Sequence, residues 1–181
     1  MAVRKGVGHY GAPITLDQAK KAMAAAEAKA KENNWNVVIS IVDSGGHAVM
    51  LERLDGTQLA SIRIADGKAR TAVEFRRPMK ALEDVIADGG AGLRYFTMAG
   101  VNQMEGGVPI VIDGKIVGGI GVSGVDSKDD AQIAQAGGRR RFMSTRPLVA
   151  RAALAAEEEV RATVISALAA NHMDRPVACQ K

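Results

Sequence analysis

The side chains best suited to acid–base chemistry lie beside a glycine-rich stretch in the second half of the chain. Glu105 directly precedes Gly106 and Gly107. A glutamate can move a proton as a general acid or base, and adjacent backbone amides can hold an oxyanion. Lys68 is a matching cationic group, since an ammonium can hold a substrate carboxylate through charge-assisted hydrogen bonds. We therefore take Glu105 and Lys68 as candidate catalytic residues.

A wider set of polar residues and glycines could line a ligand pocket with these two. The candidate ligand-binding residues are Asp43, His47, Arg53, Asn102, Gly106, Gly107 and Ser123, with Asp55 and Gln103 as further polar groups. Ordinary structural roles remain open for several of them. Asp43 and Asp55 are typical turn formers, and Arg53 could pair with either one. Lys68 could lie on a solvated helix face, and Glu105 could cap a strand.

Metal and cofactor chemistry has few possible ligands in this sequence. The one cysteine, Cys179, excludes an intrachain disulfide and a CxxC zinc site. The three histidines, His9, His47 and His172, could each ligate iron. No cluster of histidines and carboxylates has metal-ligand spacing, so no metal site is predicted. Aromatic residues make up only 3% of the chain, which disfavours a deep aromatic pocket for a large flat ligand.

Composition indicates one soluble domain. The chain has 181 residues, of which 47% are hydrophobic and 24% charged. It contains no apolar run near the roughly 20 residues that span a bilayer, and no secretion signal. We therefore expect a cytoplasmic protein without a membrane partner. The net charge of +4 and the run Arg139–Arg141 come without an aromatic platform or a phosphate-binding motif, so no nucleic-acid partner is expected.

Two hairpins are the clearest structural signals. A β-branched run at 37–42 is followed by the turn Asp43-Ser44-Gly45-Gly46 and a second strand at 47–54. The runs 108–112 and 115–122 flank Asp113-Gly114, which favours a type I′ turn. Glycines repeated in the last of these strands suggest close approach of another backbone or of a ligand.

Helices are predicted around the hairpins. Thr15-Leu16-Asp17-Gln18 matches a capping box and predicts a helix over 16–32. Apolar periodicity and helix-stop signals predict further helices over 58–75, 79–87 and 128–135, and an irregular glycine-rich segment over 88–107. The fold class is therefore α/β of the α+β type: a single domain with an antiparallel sheet of two hairpins flanked by helices. Residues 1–13 are expected to form an arm, 14–137 the domain, and 138–181 a helical C-terminal extension.

Five motifs together resemble the GlcG/HbpS family, a family of haem-degrading domains also known as DUF336. They are VDSGGH at 42–47, RLDG at 53–56, ADGKARTA at 65–72, GGVPIVIDGKIVGGIGVSG at 106–124 and DDAQIAQAG at 129–137. The family includes the C-terminal domain of some PduO-type cobalamin adenosyltransferases. The resemblance implies an antiparallel sheet with packed helices, a homo-oligomer from tetramer to octamer, and a small ligand that includes haem as a possible cofactor.

The resemblance leaves three functions open. The first is binding, sensing or degradation of haem by a homo-oligomer. The second is an enzyme of a catabolic operon that acts on a small organic acid by lyase, hydrolase or isomerase chemistry, with Glu105 and a basic anchor. The third is an assembly module without a ligand. The family has no single fixed axial histidine that can be transferred to this chain.

Overall fold

The computed structural model describes residues 8–138 of the chain. Helix α1 (Leu16–Glu32) leads into strands β1 (Val38–Asp43) and β2 (Ala48–Arg53). Helices α2 (Ala60–Glu74) and α3 (Lys80–Ala87) follow, and then a 3-10 helix (Gly90–Thr97). Strands β3 (Gly107–Ile112) and β4 (Lys115–Ser123) form the second hairpin, and α4 (Ser127–Gly138) closes the described part of the chain.

All four strands belong to one antiparallel sheet in the order β2-β1-β4-β3. The β1–β4 pairing joins the two hairpins and aligns Val38 with Ser123. Asp113 and Gly114 both have positive φ, which is the conformation that a type I′ turn requires. The predicted fold class and both predicted hairpins are confirmed.

Helices cover both faces of the sheet. Helix α2 packs on β4, β1 and β3, while α1 and α4 pack on the other face and against each other. The main core lies on the α1–α4 side, where the small residues of α1 allow close packing against aliphatic side chains of the sheet. These aliphatic residues include Val37, Ile39, Ile41, Ile110, Ile120 and Val122. The capping box at Thr15 is present and fixes the start of α1.

Helix α2 and strand β4 pack at backbone distance. A Cβ atom added to Gly121 would lie 2.1 Å from the Ala65 carbonyl oxygen. A Cβ atom at Gly119 would lie 2.7 Å from the carbonyl oxygen of Ala69. Only residues without a side chain fit at these two positions, so the backbone of α2 lies directly on the central strand. The sequence suggested that these glycines allow close approach of either another backbone or a ligand. The structure shows the first: the backbone of α2 lies against them.

The segment before α1 is hydrogen-bonded to the sheet. Ile116 donates its N–H to the His9 carbonyl, and Gly11 donates to the Ile116 carbonyl. Tyr10 donates its hydroxyl to the Val73 carbonyl at the end of α2. The predicted helical extension over 138–181 lies, apart from Gly138, outside the described residues. Within 8–138, no helix combines the length and apolar character needed to cross a bilayer.

The contact between α2 and β4 predicts a sharp difference between two glycine-to-alanine substitutions. Gly121→Ala should destabilise the protein by about 3 kcal/mol or more, because the new methyl group overlaps the α2 backbone. Gly67→Ala is the control on α2, since its Cβ would meet Asn102 at an ordinary 3.6 Å. Better helix propensity should make that variant neutral or stabilised by up to about 1 kcal/mol. Urea denaturation measures both; equal effects would contradict the proposed close packing.

Candidate functional site

Lys68 lies in the interior of the domain, not on a solvated helix face. Its side chain is buried and its ammonium donates to Asp130 Oδ2 at 2.9 Å and to the Val122 carbonyl at 3.0 Å. Asp130 is buried as well, and its Oδ1 accepts the Val125 N–H. The solvated-face alternative for Lys68 is therefore wrong. Because α2 lies directly on β4, the long side chain can reach the end of that strand and find both partners there.

Burial shifts the pKa of the acidic partner, Asp130. Removal from water raises the pKa of Asp130 above its ordinary value, and the nearby Lys68 ammonium partly offsets this effect. The pair links α2 to α4 at the end of strand β4. A buried pair of this kind is costly to break, because the remaining charge then has no partner.

Gly106 and Gly107 close over this pair. Gly106 has φ +118, and a Cβ atom there would lie 2.7 Å from Lys68 Nζ and 2.9 Å from Asp130 Cβ. A Cβ atom on Gly107 would meet the Lys68 carbonyl oxygen at 2.5 Å. The carbonyl oxygens of these glycines accept hydrogen bonds from Val122 and Met79. Both glycines therefore let the backbone cover Lys68, which keeps its ammonium away from solvent.

The loop before these glycines is tied to α2, α3 and the 3-10 helix. Asn102 donates its N–H to the Thr71 hydroxyl at 3.0 Å, and its side-chain oxygen accepts the Met104 N–H. Gln103 donates its side-chain amide to the Tyr95 carbonyl at 3.1 Å. Residues 102–104 are thus held beside the 3-10 helix that precedes them.

Glu105 is the titratable group of this loop with a perturbed proton affinity. Its N–H donates to the Glu83 carboxylate at 2.7 Å. Burial, followed by the negative charge of Glu83, raises the pKa of the Glu105 carboxyl, while Lys80 acts in the opposite direction. A raised carboxyl pKa suits a general acid or base. Glu105 is partly exposed and can still exchange a proton with a ligand, whereas Lys68 is covered.

The candidate residues divide between the two ends of the sheet. Ser123 lies at the Lys68 end, where its hydroxyl donates to Ser61 at 3.2 Å. Arg53 is on the same end of the sheet, because both Arg53 and Ser123 align with Val38. Asp43 is at the other end of β1, about 17 Å away along the strand. Asp43 and His47 therefore do not join Glu105, Asn102 and Gly106 in one pocket.

Asp43 and His47 form a turn-end pair of their own. Asp43 Oδ1 accepts the backbone N–H groups of Gly45 and His47 and lies 3.4 Å from His47 Nδ1. Burial acts to raise the pKa of Asp43, but the hydrogen bonds from His47 and Gly45 outweigh it, so the pKa is lowered. The turn-forming role predicted for Asp43 is thus present. His47 is exposed, and a carboxylate beside one ring nitrogen is an arrangement that orients histidine ligands of metals.

Arg53 and Asp55 line a different cavity. An open cleft of about 550 Å³ lies between the end of α1 and the end of β2. Arg53 forms no ion pair with Asp43 or Asp55 in the described part of the chain. Among residues 8–138, no three histidine, cysteine or acidic side chains converge closely enough to hold a metal ion.

An apolar surface near the loop was not predicted from the sequence. It comprises four side chains of residues 93–104 that are 44–61% exposed: Leu93, Phe96, Met98 and Met104. Leu93 and Phe96 are three residues apart on the 3-10 helix, a spacing that places side chains on one side. The Gln103–Tyr95 hydrogen bond holds Gln103, the residue before Met104, beside this helix. The sequence did contain a signal for this surface. The chain has two tyrosines and three phenylalanines, and one of each stands at the adjacent positions 95 and 96.

The fold and the order of its elements place the chain in a class of small α+β domains built on one four-stranded antiparallel sheet. The family model described as "Haem degrading protein HbpS-like" matches residues 14–139. The chain belongs to this HbpS-like family, as the five motifs indicated.

Three relatives extend this comparison. Protein GlcG of Escherichia coli K12 is 38% identical over 110 residues, which cover 61% of this chain and 81% of GlcG. A double mutant of HbpS from Streptomyces reticuli is 32% identical with a TM-score of 0.65, covering 76% of this chain and 93% of that structure. The structure of a PduOC:haem complex is 31% identical with a TM-score of 0.63, covering 69% and 92% respectively.

The buried pair gives a stability prediction. Lys68→Met should lower the free energy of unfolding by about 3–5 kcal/mol, because it leaves Asp130 buried without a cation. The double variant Lys68→Met with Asp130→Leu removes both charges and should recover most of that loss. Chemical denaturation at neutral pH measures the set. A Lys68→Met variant as stable as the parent would show that the pair is not buried in solution.

Glu105 gives a prediction for the pH dependence of stability. Its pKa is raised in the folded state, so the parent protein loses stability as pH rises from the unfolded-state pKa through the folded-state pKa. Glu105→Gln lacks this titration and should gain stability relative to the parent between about pH 4 and pH 7. Denaturation across this range, with Glu74→Gln as the control, measures the difference. A gain that is greatest at acid pH would contradict the burial effect.

Proposed function

We propose that this protein binds haem on the apolar surface formed by Leu93, Phe96, Met98 and Met104. The observation that carries the proposal is the combination of this surface with the likeness to PduOC, whose structure is a complex with haem. A porphyrin is a broad apolar disc with two carboxylates at one edge. It therefore binds where exposed apolar side chains lie close to a cation.

The shape of the surface supports a stacked mode of binding. Tyr95 packs edge-on against Phe75 with ring centroids 5.9 Å apart, which fixes the 3-10 helix on the domain. Phe96 is the next residue and is 61% exposed, so its ring is available to a ligand. Four exposed apolar side chains within twelve residues are a concentration of the kind that marks contact sites on soluble proteins.

The chemistry of the neighbouring residues suits the remaining parts of haem. The thioether of Met98 or Met104 can act as an axial ligand to iron. Arg94 is exposed, with its guanidinium 5.8 Å from the centre of the Tyr95 ring, and it can hold a propionate through charge-assisted hydrogen bonds. A surface site of this kind does not need the deep aromatic pocket that the composition disfavours. The opposite face of the porphyrin would be covered by a second copy in the homo-oligomer that the family resemblance implies.

Haem titration with matched variants tests this proposal. The parent protein should give a saturable change in the Soret band. Phe96→Ala should weaken haem binding about tenfold or more, because it removes a large apolar contact. Met98→Leu and Met104→Leu keep the apolar area, so one of them should change the iron spectrum more than the affinity.

Leu16→Ala is the matched control, because Leu16 is 52% exposed on the opposite side of the sheet. Its haem affinity should equal that of the parent. No saturable Soret change in the parent, or equal affinity in Phe96→Ala, would refute binding at the apolar surface. A spectrum altered only in His47→Ala would move the iron to the Asp43–His47 turn and would also refute it.

A second candidate function follows from Glu105. Its raised pKa and partial exposure favour proton transfer in an enzyme that acts on a small organic acid. Lys80 is exposed and close enough to influence the Glu105 charge, so it replaces the covered Lys68 as the basic anchor of this alternative. Glu105→Gln should abolish turnover of any small carboxylate that the parent converts, with folding checked by its melting temperature. Full activity in this variant would exclude the role of Glu105.

A further inference from the structure

The open cleft between α1 and β2 has the features of a second binding site. Its volume of about 550 Å³ lies within the range typical of small-molecule sites, roughly 300–1,000 Å³. The cleft is lined by Lys31, Asn34, Trp35, Asn36, Glu52, Arg53, Leu54 and Asp55. None of these residues belongs to the apolar surface or to the loop around Glu105.

The backbone that follows α1 places the indole of Trp35 at this cleft. After α1 ends at Glu32, Asn34 adopts a positive φ of 55° and reverses the chain. The Trp35 N–H then donates to the Ala30 carbonyl at 3.0 Å, which holds Trp35 beneath the last turn of the helix. The indole is partly buried against the main core and also lines the cleft. It therefore offers a flat apolar surface to a cleft whose other lining residues are mostly polar.

Most polar side chains around the indole have no protein partner. Within residues 8–138, Lys31 pairs with Glu27, but none of the other polar groups of the cleft forms a side-chain hydrogen bond or ion pair. These groups are the amides of Asn34 and Asn36, the carboxylates of Glu52 and Asp55, and the Arg53 guanidinium. Glu52 is partly buried, and this burial, followed by the charge of Glu27, raises the pKa of its carboxyl. Donors and acceptors without a protein partner therefore line the cleft together with the indole, and a ligand can replace the water bound to them.

The balance of charge selects the ligand class. Lys31 and Arg53 are matched by Glu52 and Asp55, so the lining favours neither an anion nor a cation. A hydroxyl group both donates and accepts, and can use carboxylates, amides and a guanidinium together. A sugar ring also has an apolar C–H face that packs on an aromatic ring. We propose that this cleft binds a neutral polyhydroxylated molecule of the size of a mono- or disaccharide.

Tryptophan fluorescence reports directly on this site, because Trp35 is the only tryptophan in the chain. Haem-free protein is titrated with D-glucose and D-maltose. Glycine betaine and sodium sulfate represent zwitterions and anions. The proposal expects a saturable change in Trp35 emission with at least one of the two sugars, confirmed by calorimetry. It expects no saturable change with betaine or sulfate.

Variants separate binding in the cleft from an indirect effect on the fluorescence. Arg53→Gln and Asp55→Asn should each weaken sugar binding by about tenfold, since each removes a charge-assisted hydrogen bond. Arg63→Gln, an exposed arginine of α2 outside the cleft, should bind as the parent does. Equal melting temperatures establish that the variants fold. No saturable response to either sugar, a response to betaine or sulfate alone, or unchanged sugar affinity in both cleft variants would each overturn the proposal.

Discussion

Helix α2 can lie against strand β4 at backbone distance only because Gly119 and Gly121 have no side chains, and most of the site depends on this contact. It brings Lys68 within reach of the Val122 carbonyl and Asp130 at the end of β4. Any side chain at Gly121 would push α2 away from the sheet and lengthen both hydrogen bonds. The glycines of β4 thus serve mainly to let α2 pack on the sheet, and this packing positions Lys68 at the end of the strand.

The buried ion pair divides the candidate site into an inner and an outer part. The inner part is the Lys68–Asp130 pair, whose polar groups are hydrogen-bonded and covered by Gly106 and Gly107. It holds α2, α4 and the loop together. The outer part is the apolar surface that begins at Leu93, with Glu105 nearby on the same loop. Lys68, Gly106 and Gly107, in the ADGKARTA and GGVPI motifs, therefore contribute to the buried framework, and the proposed haem contacts lie outside these motifs. Three of the four apolar side chains belong to the 3-10 helix or directly follow it.

Local signals predicted the framework well. The capping box at Thr15 and the Asp113-Gly114 turn each specify a structure through nearby residues, and both are present. The site was harder, because it depends on contacts between distant parts of the chain. Lys68 and Asp130 are 62 residues apart, and helical periodicity alone places Lys68 off the apolar stripe. The separation of Asp43 from Glu105 likewise follows from strand order, which spacing along the chain does not reveal.

Our central proposal is that haem contacts the apolar surface rather than the Asp43–His47 turn at the other end of β1. A crystal structure of the haem-loaded protein tests it most directly. The account predicts a porphyrin stacked on Phe96, with its iron within bonding distance of a methionine sulfur at 98 or 104 and a propionate near Arg94. A porphyrin ligated by His47 and remote from residues 93–104 would contradict the account.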